Sequence, residues 1–152
     1  MTIERPEGAG DPEFRFDMSS MGPALRAMDR LGMLSYGHEP PAWPKSADFG
    51  LTSADFVGAA DGRVSETMRT YEAACRAVAA WHAEPPTGIP DHKIGGTNDG
   101  WIVTPAEIRA ALAALAAQPE EAKAGTFAEH PRWDEWIDYL TRAAAHGGFR
   151  VE

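Results

Sequence analysis

A capped helix that begins at Thr104 is the feature that most constrains how this chain can fold. The segment Thr104-Pro105-Ala106-Glu107 has Thr at the N-cap, Pro in the first helical position and Glu three residues after the cap. Such a capping box satisfies backbone N–H groups that the first turn of a helix otherwise leaves without partners. Ile108, Leu112 and Leu115 follow at the spacing of one helical face. The sequence therefore predicts an amphipathic helix that ends near Gln118.

The residues before this helix predict a turn and a short strand. Asn98-Asp99-Gly100 favours a turn, because Asn and Asp tolerate left-handed backbone and Gly adopts it without steric cost. Trp101-Ile102-Val103 suits a pleated strand. With His92-Lys93-Ile94 as the other arm, residues 89–103 are expected to form a hairpin or a pair of short strands.

Further helices and strands complete an α+β prediction. Apolar residues recur at helical spacing over about 21–31, 65–82 and 131–145, while Phe14–Met18 and Phe149–Val151 alternate in the strand period. The expected fold class is α+β, with three to four main helices packed on a small antiparallel sheet. The predicted core comprises Phe16, Leu25, Met28, Tyr71, Val78, Ile102, Ile108, Leu112, Leu115, Trp136, Ile137 and Leu140.

The length of 152 residues fits one domain that can bury a core. Residues 1–13 are polar and rich in Pro and Gly, which predicts a flexible N-terminal segment. The single domain is then expected to occupy residues 14–152, because no internal linker is long enough to divide them.

Charge and cysteine content bound the classes of function. The formal net charge of −9 disfavours binding to nucleic acid phosphates or to an anionic membrane. No apolar run approaches the roughly 18 residues of a membrane helix, and the N-terminus lacks the pattern of a secretory signal. The single cysteine, Cys75, cannot form an internal disulfide. We therefore expect a soluble cytoplasmic protein whose partners are neither nucleic acids nor membranes.

Two strings, NDGWIVTPAEIRAAL and WDEWIDYLTRAAAHGGFRV, resemble parts of small uncharacterised domains in actinobacterial, that is bacterial, and phage-encoded proteins. In those domains an Asn-Asp-Gly-Trp segment precedes a helix, and a final helix with tryptophans ends in Gly-Gly-Phe. The resemblance covers residues 89–151. It implies a compact α+β domain and no particular activity.

The residues that carry acid–base chemistry give only weak catalytic candidates. His92 and Asp99 face each other across the predicted hairpin, where the carboxylate would orient the imidazole, and His38 is a third candidate. The alternative, which we favour, is that the Asn98 and Asp99 side chains cap their own turn. No two histidines stand at i, i+3 or i, i+4, and no phosphate or dinucleotide fingerprint occurs. We therefore expect no metal and no cofactor.

Tryptophans and turn residues supply the candidates for ligand or partner binding. The chain has five tryptophans, which serve either as core residues or as the lining of a pocket or partner surface. The candidate binding residues are Trp43, Asn98, Asp99, Trp101 and Trp133. The last helix also carries Asp134, Glu135 and Asp138, an acidic face that is either simply solvated or a docking patch for a basic protein.

Two function hypotheses remain open at this point. The first is a small acidic binding or interaction protein, such as an immunity or accessory factor, that engages a protein partner. The alternative is a small enzyme or small-molecule-binding protein whose pocket lies between the Pro-rich loop 37–49 and the turn 95–101. Whether the chain is an enzyme is undecided by its sequence.

Overall fold

The computed structural model describes residues 1–16, 18–95, 99–130 and 132–152, the side chains of residues 18, 19 and 127–129 excepted. These ranges contain seven α-helices, five two-residue strands and one short 3-10 helix. The helices are α1 (Met18–Arg30), α2 (Ser53–Ala60), α3 (Glu66–Ala79), α4 (Asp91–Ile94), α5 (Pro105–Ala116), α6 (Glu120–Glu129) and α7 (Trp133–Ala145); the 3-10 helix is Ser46–Phe49. The strands are β1 (Thr2–Ile3), β2 (Leu34–Ser35), β3 (Ile89–Pro90), β4 (Ile102–Val103) and β5 (Phe149–Arg150).

The predicted capped helix is α5, and its start is confirmed. The Thr104 N–H donates to the Glu107 carboxylate at 2.7 Å, and the Thr104 hydroxyl accepts from the Glu107 N–H at 3.4 Å. Pro105 occupies the first turn, as expected. Ile108 and Leu115 are buried in the core, and Leu112 packs against it.

The three-stranded sheet has the order β1-β5-β4, and both pairs are antiparallel. Val103 and Ile3 both pair with Phe149 in the register of this sheet. The α+β class and the small antiparallel sheet are therefore confirmed. The predicted three to four helices were too few for the described chain, because the short helices α2, α4 and α6 carry weak helical periodicity.

Gly148 allows the last strand to reach the sheet. Gly147 and Gly148 have φ values of +88° and +86°, a left-handed conformation in which side chains are strained. A Cβ on Gly148 would overlap the carbonyl oxygen of Val103. The Gly-Gly pair that ends α7 therefore also permits the close approach of the backbone to β4.

The chain divides into two compact units, a division that the sequence did not indicate. The larger unit comprises Met1–His38 and His82–Glu152, and the smaller unit comprises Glu39–Trp81. The main hydrophobic cluster lies entirely in the larger unit. In that unit β2 and β3 form a separate parallel pair, with Leu34 opposite Ile89.

Most of the predicted core residues are buried or packed against buried residues. The buried ones are Met28, Val78, Ile102, Ile108, Leu115, Trp136 and Leu140. Phe16, Leu25, Leu112 and Ile137 are half-buried against the main cluster. Tyr71 belongs to the smaller unit, where its ring lies 5.4 Å from that of Phe49 and 6.3 Å from that of Phe56.

The N-terminal segment makes buried contacts, while its predicted flexibility stays a prediction. Ile3 is buried in β1, Ala9 is buried after it, and the Ile3 N–H donates to the Pro12 carbonyl at 2.9 Å. The predicted strand over residues 14–18 was wrong. The rings of Phe14 and Phe16 instead lie 5.2 and 5.1 Å from that of Trp136, so their alternation reflects a shared apolar contact.

The predicted strand arm His92-Lys93-Ile94 was also wrong, because these residues form the one-turn helix α4. Lys93 is completely buried, and its Nζ donates to the Ile102 carbonyl at 2.8 Å. The same Nζ lies 2.9 and 3.0 Å from the two carboxylate oxygens of Glu107, which is 1% exposed. The ammonium thus donates to the Ile102 carbonyl and to Oε2 of Glu107, and α4 is joined to β4 and α5.

Removing one partner of this ion pair should destabilise the fold strongly. Glu107→Gln leaves the Lys93 charge buried and only partly compensated, and we expect it to lower the free energy of unfolding by about 3–5 kcal/mol. Adding Lys93→Met should recover part of that loss, because the unpaired charge is then gone. Urea denaturation followed by circular dichroism measures both effects.

Glu66→Gln is the matched control for this prediction. Glu66 pairs with Arg69 at 3.5 Å on the exposed surface of α3, where an ion pair contributes at most about 1 kcal/mol. Equal losses of stability in the Glu66 and Glu107 variants would contradict the importance given to the buried pair.

Candidate functional site

The ring of His92 is half-buried beside the ion pair of Lys93. It stands edge-on to the indole of Trp101, with ring centroids 5.0 Å apart and an interplanar angle of 76°. Its Nε2 is buried and has no hydrogen-bond partner among the described residues. This nitrogen therefore lacks the compensation that a buried polar atom normally has.

Burial lowers the pKa of His92 below its ordinary value, because desolvation disfavours the imidazolium form. The positive charge of Lys93 is the next largest cause and acts in the same direction, as does His38 more weakly. The carboxylates of Asp91 and Glu107 oppose the shift. His92 is accordingly neutral near pH 7.

A solvent-open pocket of about 240 Å³ lies in the larger unit, and one of its lining residues, Asp91, directly precedes His92 in the sequence. It is formed where the second half of α1, the end of β2 and α4 come together. Its lining residues are Leu25, Arg26, Asp29, Leu34, Tyr36, Asp91 and Gly95. Apart from Gly95, which belongs to the turn 95–101 of the predicted pocket, none of these residues was indicated by the sequence, because their convergence depends on the packing of three separate segments.

A hydrogen bond fixes one wall of this pocket. The Tyr36 hydroxyl donates to the Asp29 carboxylate at 2.7 Å. This bond is the main cause that raises the pKa of Tyr36 to about 12, and the negative charges of Asp29 and Asp91 contribute further. The phenol is therefore neutral at physiological pH, and 55% of Tyr36 remains exposed to solvent.

The predicted catalytic candidates are only partly brought together. His38 is near enough to His92 for its charge to affect the pKa of that ring. Asp99 is exposed, and orientation of the imidazole by Asp99 stays a prediction. Asn98 lies outside the described residues, and the proposed pocket between loop 37–49 and the turn 95–101 likewise stays a prediction.

The tryptophan candidates fall into two groups by burial. Trp101 and Trp133 are 6% and 2% exposed, so little of either ring is available to a partner. Trp43, in the smaller unit, is 37% exposed. Of these three residues, Trp43 is therefore the one exposed enough to contact a partner.

The smaller unit presents an apolar helix to solvent. Helix α2 has the sequence SADFVGAA, and none of its residues is buried. Phe56 and Val57 are 44% and 61% exposed. An open groove of about 570 Å³ runs along the helix, lined by Ser53, Ala54, Val57, Gly58 and Arg63. Three of the four exposed large hydrophobic side chains among the described residues belong to this unit, namely Trp43, Phe56 and Val57.

The acidic face of the last helix is partly neutralised by its own neighbours. The carboxylate of Glu135 lies 2.8 Å from the guanidinium of Arg132, and that of Asp138 lies 2.8 Å from Arg142. These pairs reduce the negative potential that a basic partner would meet on α7.

The described residues lack two further features. No group of three or more His, Cys, Asp or Glu side chains there is arranged to hold a metal ion. No helix in the same ranges is both long and apolar enough to cross a membrane.

No family model matches the sequence, and no curated protein or solved structure is significantly similar to it. The resemblance of residues 89–151 to actinobacterial and phage-encoded domains therefore stays a prediction.

Protonation of His92 should destabilise the fold. Because its pKa is lower in the folded protein than in the unfolded chain, the unfolded chain binds more protons as the pH falls below about 6.5. The stability contributed by the neutral ring is therefore complete above that pH and is lost as the pH falls through the folded pKa. We expect the urea midpoint of His92→Gln to change less with pH over this window than that of the parent.

His146→Gln is the control, since it removes a half-buried histidine on a different element, at the C-terminal cap of α7. If the His92 and His146 variants have the same pH dependence, the proposed role of His92 burial is refuted.

Proposed function

We propose that this chain is a binding protein that engages a protein partner through helix α2 of the smaller unit. The observation that carries the proposal is the exposure of Phe56 and Val57 on a helix with no buried residue. Apolar helix faces in stable proteins are normally turned to a core, and contiguous exposed apolar surface marks interaction sites.

Local order supports a preformed surface. Thr52 and Asp55 form a capping bond at the start of α2, where the Thr52 N–H donates to the carboxylate at 2.9 Å. Phe56 is held edge-on to Tyr71 with ring centroids 6.3 Å apart. A helix that is capped and braced in this way loses less conformational entropy on binding than a disordered segment does.

The charge of the chain indicates the chemistry of the partner. With a net charge of −9, the protein attracts surfaces of positive potential at long range and repels acidic ones. We therefore propose a partner that presents an apolar segment to α2 and is basic around it. In this reading the apolar contact supplies most of the affinity, and the charge supplies most of the association rate.

Val57→Gln tests the contact because Val57 lines the groove and is the most exposed large hydrophobic residue described. We expect partner affinity to fall by about tenfold, the effect of losing about 1.4 kcal/mol of apolar contact. The measurement is affinity capture from a lysate of the encoding organism, followed by interferometry with the captured protein.

Ala73→Gln is the matched control, because Ala73 is also an exposed apolar residue of a helix, on α3 rather than α2. A protein retained by the parent and by Ala73→Gln but lost from Val57→Gln is the expected result. Equal capture by all three chains, or concentration-dependent self-association that Val57→Gln abolishes, would refute a basic protein partner at α2.

The salt dependence of association tests the charge of the partner separately. The association rate should fall by at least about threefold when ionic strength rises from about 0.05 M to about 0.5 M, because salt screens long-range attraction. The dissociation rate should change little. An association rate that is unaffected by salt would leave the apolar contact intact but remove the basic partner from the proposal.

A further inference from the structure

We propose that the pocket between α1, β2 and α4 binds a small organic cation, an ammonium group attached to a short aliphatic chain. The site shares no residue with α2, and its occupant is a small molecule rather than a protein. The inference rests on the convergence of three kinds of lining group: two carboxylates, one aromatic ring and two leucines.

The two carboxylates come from separate parts of the chain. Asp29 lies in the last turn of α1, and Asp91 is the first residue of α4. Both line the pocket, and both negative charges are felt at the Tyr36 hydroxyl. An ammonium group placed between them would donate charge-assisted hydrogen bonds to both carboxylates.

The Tyr36 ring is held in place for such a ligand. Its hydroxyl bond of 2.7 Å to Asp29 fixes the phenol, while more than half of the residue stays exposed. An aromatic face beside carboxylates attracts cations through its quadrupole. The same bond uses the tyrosine hydrogen and leaves the other lone pairs of Asp29 available as acceptors.

The apolar part of the lining and the volume of the pocket indicate the hydrocarbon part and the size of the ligand. Leu25 and Leu34 are half-buried and form the hydrocarbon part of the wall. The volume of about 240 Å³ accommodates a short aliphatic chain but not a large cofactor, whose pockets lie at about 300–1,000 Å³. The expected ligand is therefore a small primary amine rather than a nucleotide.

Arg26 is the one basic side chain of the lining and limits the affinity for a simple cation. Its Nη1 lies near Gly22, one helical turn back along α1. Because the positive charge of Arg26 repels a cation, removing that charge should strengthen the binding of a monoamine. A ligand that also carried a carboxylate would behave in the opposite way, because Arg26 would pair with that carboxylate.

Titration with n-butylammonium chloride, followed by ¹⁵N–¹H NMR of the full chain, tests the proposal. Saturable shifts are expected at the amides of Leu34, Tyr36, Asp91 and Gly95 at ligand concentrations up to about 10 mM, the range expected for a ligand of this size. Sodium butyrate, which has a similar chain and the opposite charge, should produce none. Absence of shifts with the amine, or equal shifts with butyrate, would overturn the inference.

Charge-neutral variants locate the site. Asp91→Asn should weaken n-butylammonium binding by about tenfold or more, since it removes one charged acceptor. Asp134→Asn makes the same change at an exposed position of α7 and should leave binding unchanged. Equal affinities of the two variants would refute the site, and the amide spectrum of each variant shows directly that it is folded.

Arg26→Gln decides the class of ligand. Stronger binding of n-butylammonium in this variant is the expected result. If 4-aminobutyrate binds the parent more tightly than n-butylammonium does and loses that advantage in Arg26→Gln, the site is one for zwitterions and the proposed cation class is overturned.

Discussion

The larger unit depends on one buried ion pair, between Lys93 and Glu107. Placing an ammonium and a carboxylate in the interior costs several kcal/mol for each ion. The arrangement offsets that cost because Lys93 also reaches the Ile102 carbonyl, while Glu107 accepts from Thr104 at the start of α5. One side chain thus connects α4, β4 and α5. Because α4 consists of a single turn, this anchor also sets where Asp91 and His92 stand.

The two units differ in how they use their apolar residues. In the larger unit the hydrophobic cluster contains Trp136, Tyr139 and Phe149, whose ring centroids lie within 6 Å of one another. Burial in this cluster raises the pKa of Tyr139 well above its usual range. The open surface of the larger unit includes a pocket lined by both leucines and carboxylates. In the smaller unit, α2 keeps Phe56 and Val57 in solvent. The two proposed binding surfaces, the pocket of the larger unit and helix α2 of the smaller unit, therefore share no residue.

The sequence predicted those structural features that depend only on interactions between residues close together in the chain. The capping box at Thr104 forms within four residues, so its pattern was sufficient to place the start of α5. Lys93 is the opposite case: its burial depends on Glu107, fourteen positions away, and an isolated lysine is usually exposed. The pocket escaped prediction for the same reason, because Asp29 and Asp91 meet only after α1 and α4 pack. The strand Thr2–Ile3 was not predicted, because a two-residue strand has no measurable periodicity.

The parallel pairing of β2 with β3 has a consequence for modularity. Parallel neighbours cannot be joined by a tight turn and need a crossover, and here the crossover includes the whole smaller unit, residues 39–81. The entropy of closing such a connection grows only with the logarithm of its length. A longer crossover therefore adds little closure entropy, and insertions within residues 39–81 are expected to leave the register of Leu34 with Ile89 in place. The architecture thus permits the length of this crossover to vary in evolution or by engineering while the parallel pair is retained.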